Sequence, residues 1–149
     1  MTPETLTRYL HQQIPLSAAM QARVLMLDDE GLEISAPLAP NLNQHGTGFG
    51  GSLATLAILG GWAMVEYGLQ RAGITARVVI QRSDCEYLEP AISDFSAFTR
   101  LPADEWPRFL ATLHKRRRAR IAIDTQVRAE GRVVVVHHGT YVAIADPSR

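Results

Sequence analysis

The feature of this sequence that most constrains its fold is an apolar segment, residues 53–65, directly after a glycine-rich loop, residues 41–52. A helix formed from this segment is hydrophobic on every side, so it belongs in a protein core. A membrane helix needs about 20 apolar residues, and this segment is shorter and contains Gly60 and Gly61. We therefore expect a core helix from about residue 51 to residue 72, and no membrane-spanning segment.

The loop before this helix predicts a binding site. The N-terminus of a helix carries unpaired N–H groups and a partial positive charge, which suit a carbonyl oxygen, an oxyanion or a phosphate. Gly50 and Gly51 stand where the helix starts, and glycine lets a ligand approach the backbone closely. The alternative is that these glycines only permit a sharp turn against a neighbouring strand.

Composition narrows the classes of protein to consider. The chain has 149 residues, which favours one domain over 1–149. Fifteen basic residues balance fifteen acidic ones, whereas a general nucleic-acid binder usually has a basic excess. Cys85 is the one cysteine, so no intrachain disulfide forms, and the N-terminus lacks the pattern of a secretory signal. We expect a cytoplasmic protein that binds neither nucleic acid nor membrane.

Periodicity predicts an α+β fold. Thr2 and Pro3 are typical of a helix start, so we expect an N-terminal helix within residues 1–15 that Pro15 ends. A helical spacing of apolar residues predicts a helical insert at residues 102–114. Strands are expected at residues 22–27, 32–36, 77–87, 94–101, 118–128 and 132–144. Five or six antiparallel strands with one apolar helix imply a sheet that curls around the helix, or a second subunit that covers it.

With these residues in this order, the sequence resembles the hotdog fold of acyl-thioester enzymes. The loop 43–51 is similar to the Asn-x-x-Gly-Thr-x-His-Gly-Gly loop of phenylacetate-pathway thioesterases, and 87–90 to their Tyr-Leu-x-Pro strand end. Residues 46–53 most resemble the thioesterase domain of the YiiD C-terminal type. The resemblance implies a curved antiparallel sheet around a central helix, and hydrolysis of an acyl-coenzyme A or acyl-carrier thioester. It implies no cofactor apart from the coenzyme A of the substrate.

The sequence departs from these relatives at two positions. Phe49 stands where the related loop has histidine, and the helix acid of related enzymes falls near Ile58, with no acid between Gly50 and Val65. The oxyanion site at Gly50 and Gly51 therefore carries over, and the catalytic base does not. A non-catalytic protein that binds acyl thioesters or fatty acids is the alternative. A dehydratase or isomerase of the same fold lacks its histidine-centred pattern here.

The candidate site residues follow from what thioester hydrolysis needs. The N–H of Gly51 or Ser52 can donate to the oxyanion. His45, Asn43 or Asp84 can position the water, with His45 or Asp84 as its base. Each of these residues also has an alternative role without catalysis. Asn43 would form a turn, His45 would face solvent or brace the loop, and Asp84 would lie on a solvated face of its strand. Cys85 is expected to be a small apolar filler. We expect the substrate to be bound by Thr47, Phe49, Ser52 and Ser83, together with Arg116, Arg117 and Arg118.

The three arginines belong to a basic cluster at residues 114–120. Arginine binds phosphate well, so the cluster is a candidate clamp for the nucleotide end of coenzyme A. A solvated helix end is the alternative. His137 and His138 are adjacent on a strand and point to opposite faces, so they cannot share a metal, and no metal site is expected. Because a curled sheet leaves open edges, we expect a homodimer or a dimer of dimers.

Overall fold

One six-stranded sheet and four α-helices make up residues 1–147, which this computed structural model describes. The helices are α1 (Pro3–Gln13), α2 (Pro15–Ala19), α3 (Gly50–Arg71) and α4 (Trp106–Arg116). The strands are β1 (Arg23–Leu27), β2 (Gly31–Ala36), β3 (Ala76–Tyr87), β4 (Phe95–Arg100), β5 (Arg118–Ala129) and β6 (Arg132–Ala145). Their order is β1-β2-β4-β5-β6-β3, and every neighbouring pair is antiparallel. The predicted α+β hotdog fold is confirmed.

The apolar segment forms the central helix, as predicted. Helix α3 packs against β2, β3, β4, β5 and β6, and Leu56, Ala57 and Met64 are fully buried. By length and composition alone, α3 could cross a membrane, and it is the one such helix within residues 1–147. Its burial shows that it is a core helix, because the sheet and not lipid covers its apolar surface.

Helix α1 closes the side of α3 that the sheet leaves open. Leu6 and Leu10 of α1 are buried in the same cluster as the centre of α3. Tyr9 stacks on Trp62 with ring centroids 6.3 Å apart. Helix α1 ends at Gln13, before Pro15, as predicted. Pro15 also begins the short helix α2, which was not predicted; proline suits a first helical position, where no N–H is needed.

Helix α1 also covers the outer edge of β1. The hydroxyl of Thr7 accepts from the N–H of Val24 at 2.9 Å, and Nε2 of His11 lies 2.7 Å from the carbonyl oxygen of Ala22. The pairing of β1 with β2 is itself irregular between Val24 and Met26. Strand β3, at the opposite edge of the sheet, has no such cover within residues 1–147.

Two side chains fix α3 against the sheet. The hydroxyl of Tyr141 donates to the carbonyl oxygen of Ile58 at 3.0 Å, and the indole of Trp62 donates to the carbonyl oxygen of Val78 at 2.8 Å. Tyr141 is fully buried against Gly61, where a Cβ atom would lie only 2.6 Å from its Cζ atom. Gly61 therefore permits the close approach of helix and sheet.

A bulge in β3 determines which of its side chains face the helix. The register with β6 shifts between Ile80 and Arg82, after which Cys85 lies opposite His137 and Tyr87 lies opposite Val135. Both β6 partners are fully buried. Directly opposite residues share a face, so Ser83, Cys85 and Tyr87 point toward α3, whereas Asp84 and Glu86 point to the outer face.

The helical insert is confirmed with shifted bounds. Residues 102–105 form a turn, and α4 begins only at Trp106. It buries Phe109 and Leu113 and ends where Arg117 adopts a left-handed backbone conformation, φ 61°. Strand β5 alternates between buried and exposed residues along its whole length, as its sequence predicted.

Candidate active site

The amides at the start of helix α3 are the first feature of the candidate site. The N–H groups of Ser52 and Leu53 both donate to the carbonyl oxygen of Phe49, at 2.9 and 3.0 Å, and no side chain caps the helix. Within residues 1–147, the N–H groups of Gly50 and Gly51 make no hydrogen bond. Of the predicted donors, Gly51 is therefore available, and the amide of Ser52 is engaged in the first turn.

Apolar side chains surround these amides. Phe49 and Tyr87 are 54% and 53% exposed, which is unusual for rings beside a core helix. The Tyr87 hydroxyl donates to the carbonyl oxygen of Gly50 at 3.0 Å, and Leu88 and Ile92 add further exposed apolar surface. Such a patch around a few polar groups is typical of a binding site.

The loop before the helix is a braced turn. Asn43 Oδ1 accepts from the N–H of His45 at 2.9 Å and from the N–H of Thr47 at 3.1 Å, and Asn43 Nδ2 donates to the Thr47 hydroxyl at 2.7 Å. Gly46 at the tip has φ 77°. The Asn43 side chain thus forms the turn that was its alternative role. The exposed imidazole of His45 makes no hydrogen bond within residues 1–147.

Asp84 lies on the other side of the sheet from these amides. Its carboxylate accepts from Nε of Arg82 at 2.9 Å and is exposed. On the same face, Nδ1 of His138 lies 2.6 Å from Oδ1 of Asp124, and this hydrogen bond raises the pKa of His138. In a single subunit, Asp84 does not reach the start of α3.

The helix-facing side of β3 carries a polar pair that sequence reasoning missed. The Ser83 hydroxyl lies 2.8 Å from Nε2 of His137, which is fully buried. Ser83 was predicted to bind substrate, but His137 was weighed only as a metal ligand. Desolvation lowers the pKa of His137 and raises that of the neighbouring Cys85 thiol, as expected for a buried filler. The bulge that brings Ser83 to this face leaves no sequence signal.

A cavity of about 290 Å³ lies beside the start of α3. Helix α2, which the sequence did not reveal, forms one wall. The opposite wall is the first turns of α3, with Ser52 and Thr55 as its polar side chains. Most of the lining is apolar: Leu16, Ala19, Met20, Pro40 and Phe49. The cavity suits a short apolar group close to the free amides.

The basic cluster forms part of a separate cavity of about 700 Å³ between α4 and β5. Four arginines line it: Arg108, Arg116, Arg118 and Arg120. Arg117 points elsewhere, and its guanidinium donates to the carbonyl oxygen of Ala145 at 3.4 Å. Phe109, which also lines this cavity, shares a buried cluster with Val65 of α3, and Val65 lies about 23 Å along the helix axis from Gly50. Within residues 1–147 no cluster of His, Cys, Asp or Glu could hold a metal ion.

Comparison with known proteins identifies the family. The model of a family described as "putative thioesterase", of the YiiD C-terminal type, matches residues 3–145. This chain belongs to that family. The predicted resemblance is confirmed over nearly the whole chain.

Solved structures agree with the family assignment. A Shewanella oneidensis protein described as a putative thioesterase is 32% identical, with a TM-score of 0.87 over 95% of this chain and 96% of that one. A Chlorobaculum tepidum protein of unknown function is 25% identical, with a TM-score of 0.91 over 97% and 98%. A probable thioesterase from Pseudomonas aeruginosa shares the fold at 24% identity, with a TM-score of 0.83 and 97% coverage of both chains.

Proposed function

We propose that this protein hydrolyses the thioester of an acyl-coenzyme A or an acyl-carrier protein. The observation that carries the proposal is the pair of free amides at Gly50 and Gly51, which open onto an apolar entrance. When water attacks a thioester, negative charge develops on the carbonyl oxygen, and fixed N–H donors stabilise that charge. Membership of a thioesterase family supports this chemistry. Coenzyme A takes part only as a portion of the substrate, and no cofactor is needed.

The surrounding residues supply the binding slot. The cavity of about 290 Å³ between α2 and α3 accepts the acyl group, and Phe49 and Ser52 line it. Thr47 holds the loop through Asn43, so it shapes the entrance. Water is positioned by His45, Asn43 or Asp84, the candidates from the sequence, of which His45 and Asp84 can act as the base. Replacement of His45 or Asp84 with alanine tests each one: a base costs about 100-fold in turnover when removed, and an unchanged rate excludes that residue.

The working form in this proposal is a cytoplasmic homodimer, alone or as a dimer of dimers. Strand β3 is the open edge of the sheet, with Arg77 exposed near its start and Asp84 and Glu86 exposed near its end. Antiparallel pairing of two copies places the start of one strand beside the end of the other, so basic meets acidic. The same pairing sets the two α3 helices in opposite directions. Each helix start then lies toward the partner subunit's basic cavity.

This arrangement assigns the arginines a substrate role. We expect Arg116→Glu and Arg118→Glu each to raise KM for an acyl-coenzyme A about tenfold, because each removes a charge-assisted phosphate contact. The same acyl group on pantetheine, which lacks the nucleotide, should show an unchanged KM. Arg23→Glu on the exposed face of β1 is the matched control. Equal effects on both substrates would contradict a phosphate role.

Steady-state thiol release from acyl-coenzyme A substrates of graded chain length, and from acyl-carrier protein, tests the function itself. The expected result is saturable hydrolysis with a preference for some chain lengths. Saturable binding without turnover would favour the second candidate, a non-catalytic acyl-thioester or fatty-acid binding protein. The absence of an acid on α3 and Phe49 in place of the loop histidine are the observations that keep this candidate open.

A further inference from the structure

The Ser83–His137 pair is built into the helix-facing wall of the sheet. His137 is fully buried, and its Nε2 is 2.8 Å from the Ser83 hydroxyl. Its Nδ1 is buried and has no partner within residues 1–147. A Cβ atom at Gly139 would lie 2.8 Å from Cε1 of this ring, so the ring fits only because residue 139 is glycine. A buried, unpartnered ring nitrogen calls for an explanation in terms of function.

Two hydrogen bonds locate the pair along α3. Tyr87 contacts Gly50 at the helix start, and Trp62 contacts Val78 three turns later. Ser83 lies about midway between Tyr87 and Val78 on β3, so it stands beside the second turn of the helix, about 9 Å along the axis from Gly50. Suppose that a thioester carbonyl accepts from the free amides and that one attacking water lies next to it. The path from the amide nitrogen through the carbonyl and the water to the water's own hydrogen-bond partner is then about 10 Å long, by ordinary hydrogen-bond lengths. This span matches the offset of Ser83 from the amides along the helix axis.

The groups around His137 favour a neutral imidazole. On β3 it faces Cys85 and Ser83, on β5 it faces Thr125, and α3 has no ionisable side chain between Gly50 and Val65. Burial is the main cause that lowers the pKa of His137, His138 lowers it further, and Asp84 and Asp124 raise it less. A neutral ring with its proton on Nδ1 leaves Nε2 free to accept the proton of the Ser83 hydroxyl.

We propose that Ser83 is the catalytic residue that contacts the attacking water, and that His137 acts through it as the proton acceptor. This inference rests on the proposed thioester hydrolysis. As the water oxygen bonds to the carbonyl carbon, a water proton passes to Oγ of Ser83 and the Ser83 proton passes to Nε2 of His137. The tetrahedral intermediate then expels the thiolate, which takes the proton back through the same hydroxyl. The products are a carboxylic acid and a thiol. The pair thus replaces the acid that α3 lacks.

Ser83→Ala is the first test, because Ser83 is exposed at an open strand edge and its loss removes no side chain from the core. The substitution leaves Nε2 of His137 without its partner, so thermal unfolding followed by circular dichroism checks that the variant is folded. We expect kcat/KM for the best acyl-coenzyme A substrate to fall about 100-fold. Ser96→Ala on β4 is the matched control and should keep the wild-type rate. An acyl adduct on Ser83, detected by protein mass during turnover, would overturn the water relay in favour of a serine nucleophile.

His137→Gln is the second test, read through the pH dependence of kcat/KM. The wild-type rate should fall as pH drops through the pKa of His137, below the ordinary value of 6.5, because a protonated ring cannot accept a proton. His137→Gln should lower the rate about 100-fold and remove this acid limb, whereas His138→Gln on the outer face should change neither. If the wild type is active and both Ser83→Ala and His137→Gln keep its rate and its acid limb, the relay is refuted and the thioesterase function stands. A wild type that cleaves no thioester refutes the function itself.

Discussion

The variants Gly50→Pro and Gly51→Pro are each expected to lower kcat by about 10²–10³-fold, the usual cost of losing one oxyanion donor. Proline has no N–H, so each substitution removes one of the two free amides. The first turn of a helix tolerates proline. Position 50 suits it best, because Phe49 before it has the extended conformation, ψ 129°, that a residue preceding proline prefers.

The matched controls are Gly50→Ala and Gly51→Ala, which keep the amides. A Cβ atom at position 50 lies 3.4 Å from the Tyr87 ring, at the edge of ordinary contact, so Gly50→Ala should retain most activity. At position 51 the Cβ atom lies 2.5 Å from the Phe49 ring, which is exposed and free to move aside. Steady-state rates of all four variants test whether these amides form the oxyanion site, and circular dichroism checks that each variant is folded. If both proline variants fold and retain wild-type kcat, the amides are not the oxyanion site.

Gly61→Ala is expected to lower the free energy of unfolding by about 2 kcal/mol, a typical cost of overpacking a core. The new methyl group would overlap the ring of Tyr141, which is fully buried and is held by its bond to the carbonyl oxygen of Ile58. For a chain of this length the loss corresponds to a fall in Tm of about 4–8 °C. Thermal unfolding followed by circular dichroism measures it.

The neighbouring glycine provides the control. A Cβ atom at Gly60 would lie 3.5 Å from Ile34 and 3.8 Å from Ala97, which is ordinary van der Waals contact. Alanine also has the higher helix propensity, so Gly60→Ala should be neutral or stabilise the protein by up to about 1 kcal/mol. Adding Tyr141→Phe to Gly61→Ala should recover part of the loss. Equal stability of the two alanine variants would show that Tyr141 does not press on the helix.

Regular patterns in the sequence predicted most of the fold. The core helix and strand β5 were predicted because burial on all sides, or on alternate residues, leaves a direct trace in the order of apolar residues. Helix α2 was missed because the same proline that follows one helix begins the next, and the five residues of α2 are too few to show a period. The sequence could not show that the side chain of Arg117 points away from the cavity that Arg116 and Arg118 line. Its direction follows from the left-handed backbone conformation of Arg117, which depends on how α4 ends.

Only those parts of the candidate site whose residues are neighbours in the sequence could be predicted. Gly50 and Gly51 could be read as free amides because loop and helix adjoin in the sequence. The contact of Ser83 with His137 joins residues 54 positions apart. It depends on the register of β3 with β6 and on a bulge, and no short-range pattern encodes either. The same bulge turned Asp84 to the outer face.

The cover that α1 provides for β1 limits how far this sheet can grow. Thr7 and His11 occupy backbone groups that another chain would need for pairing, and the irregular ladder of β1 is a poor template. Within residues 1–147, β3 is then the sheet edge that has no such cover, and the proposed pairing of two copies through β3 would occupy that edge in both. In the proposed dimer, pairing through the sheet would therefore stop at two copies and would not continue into open-ended fibres.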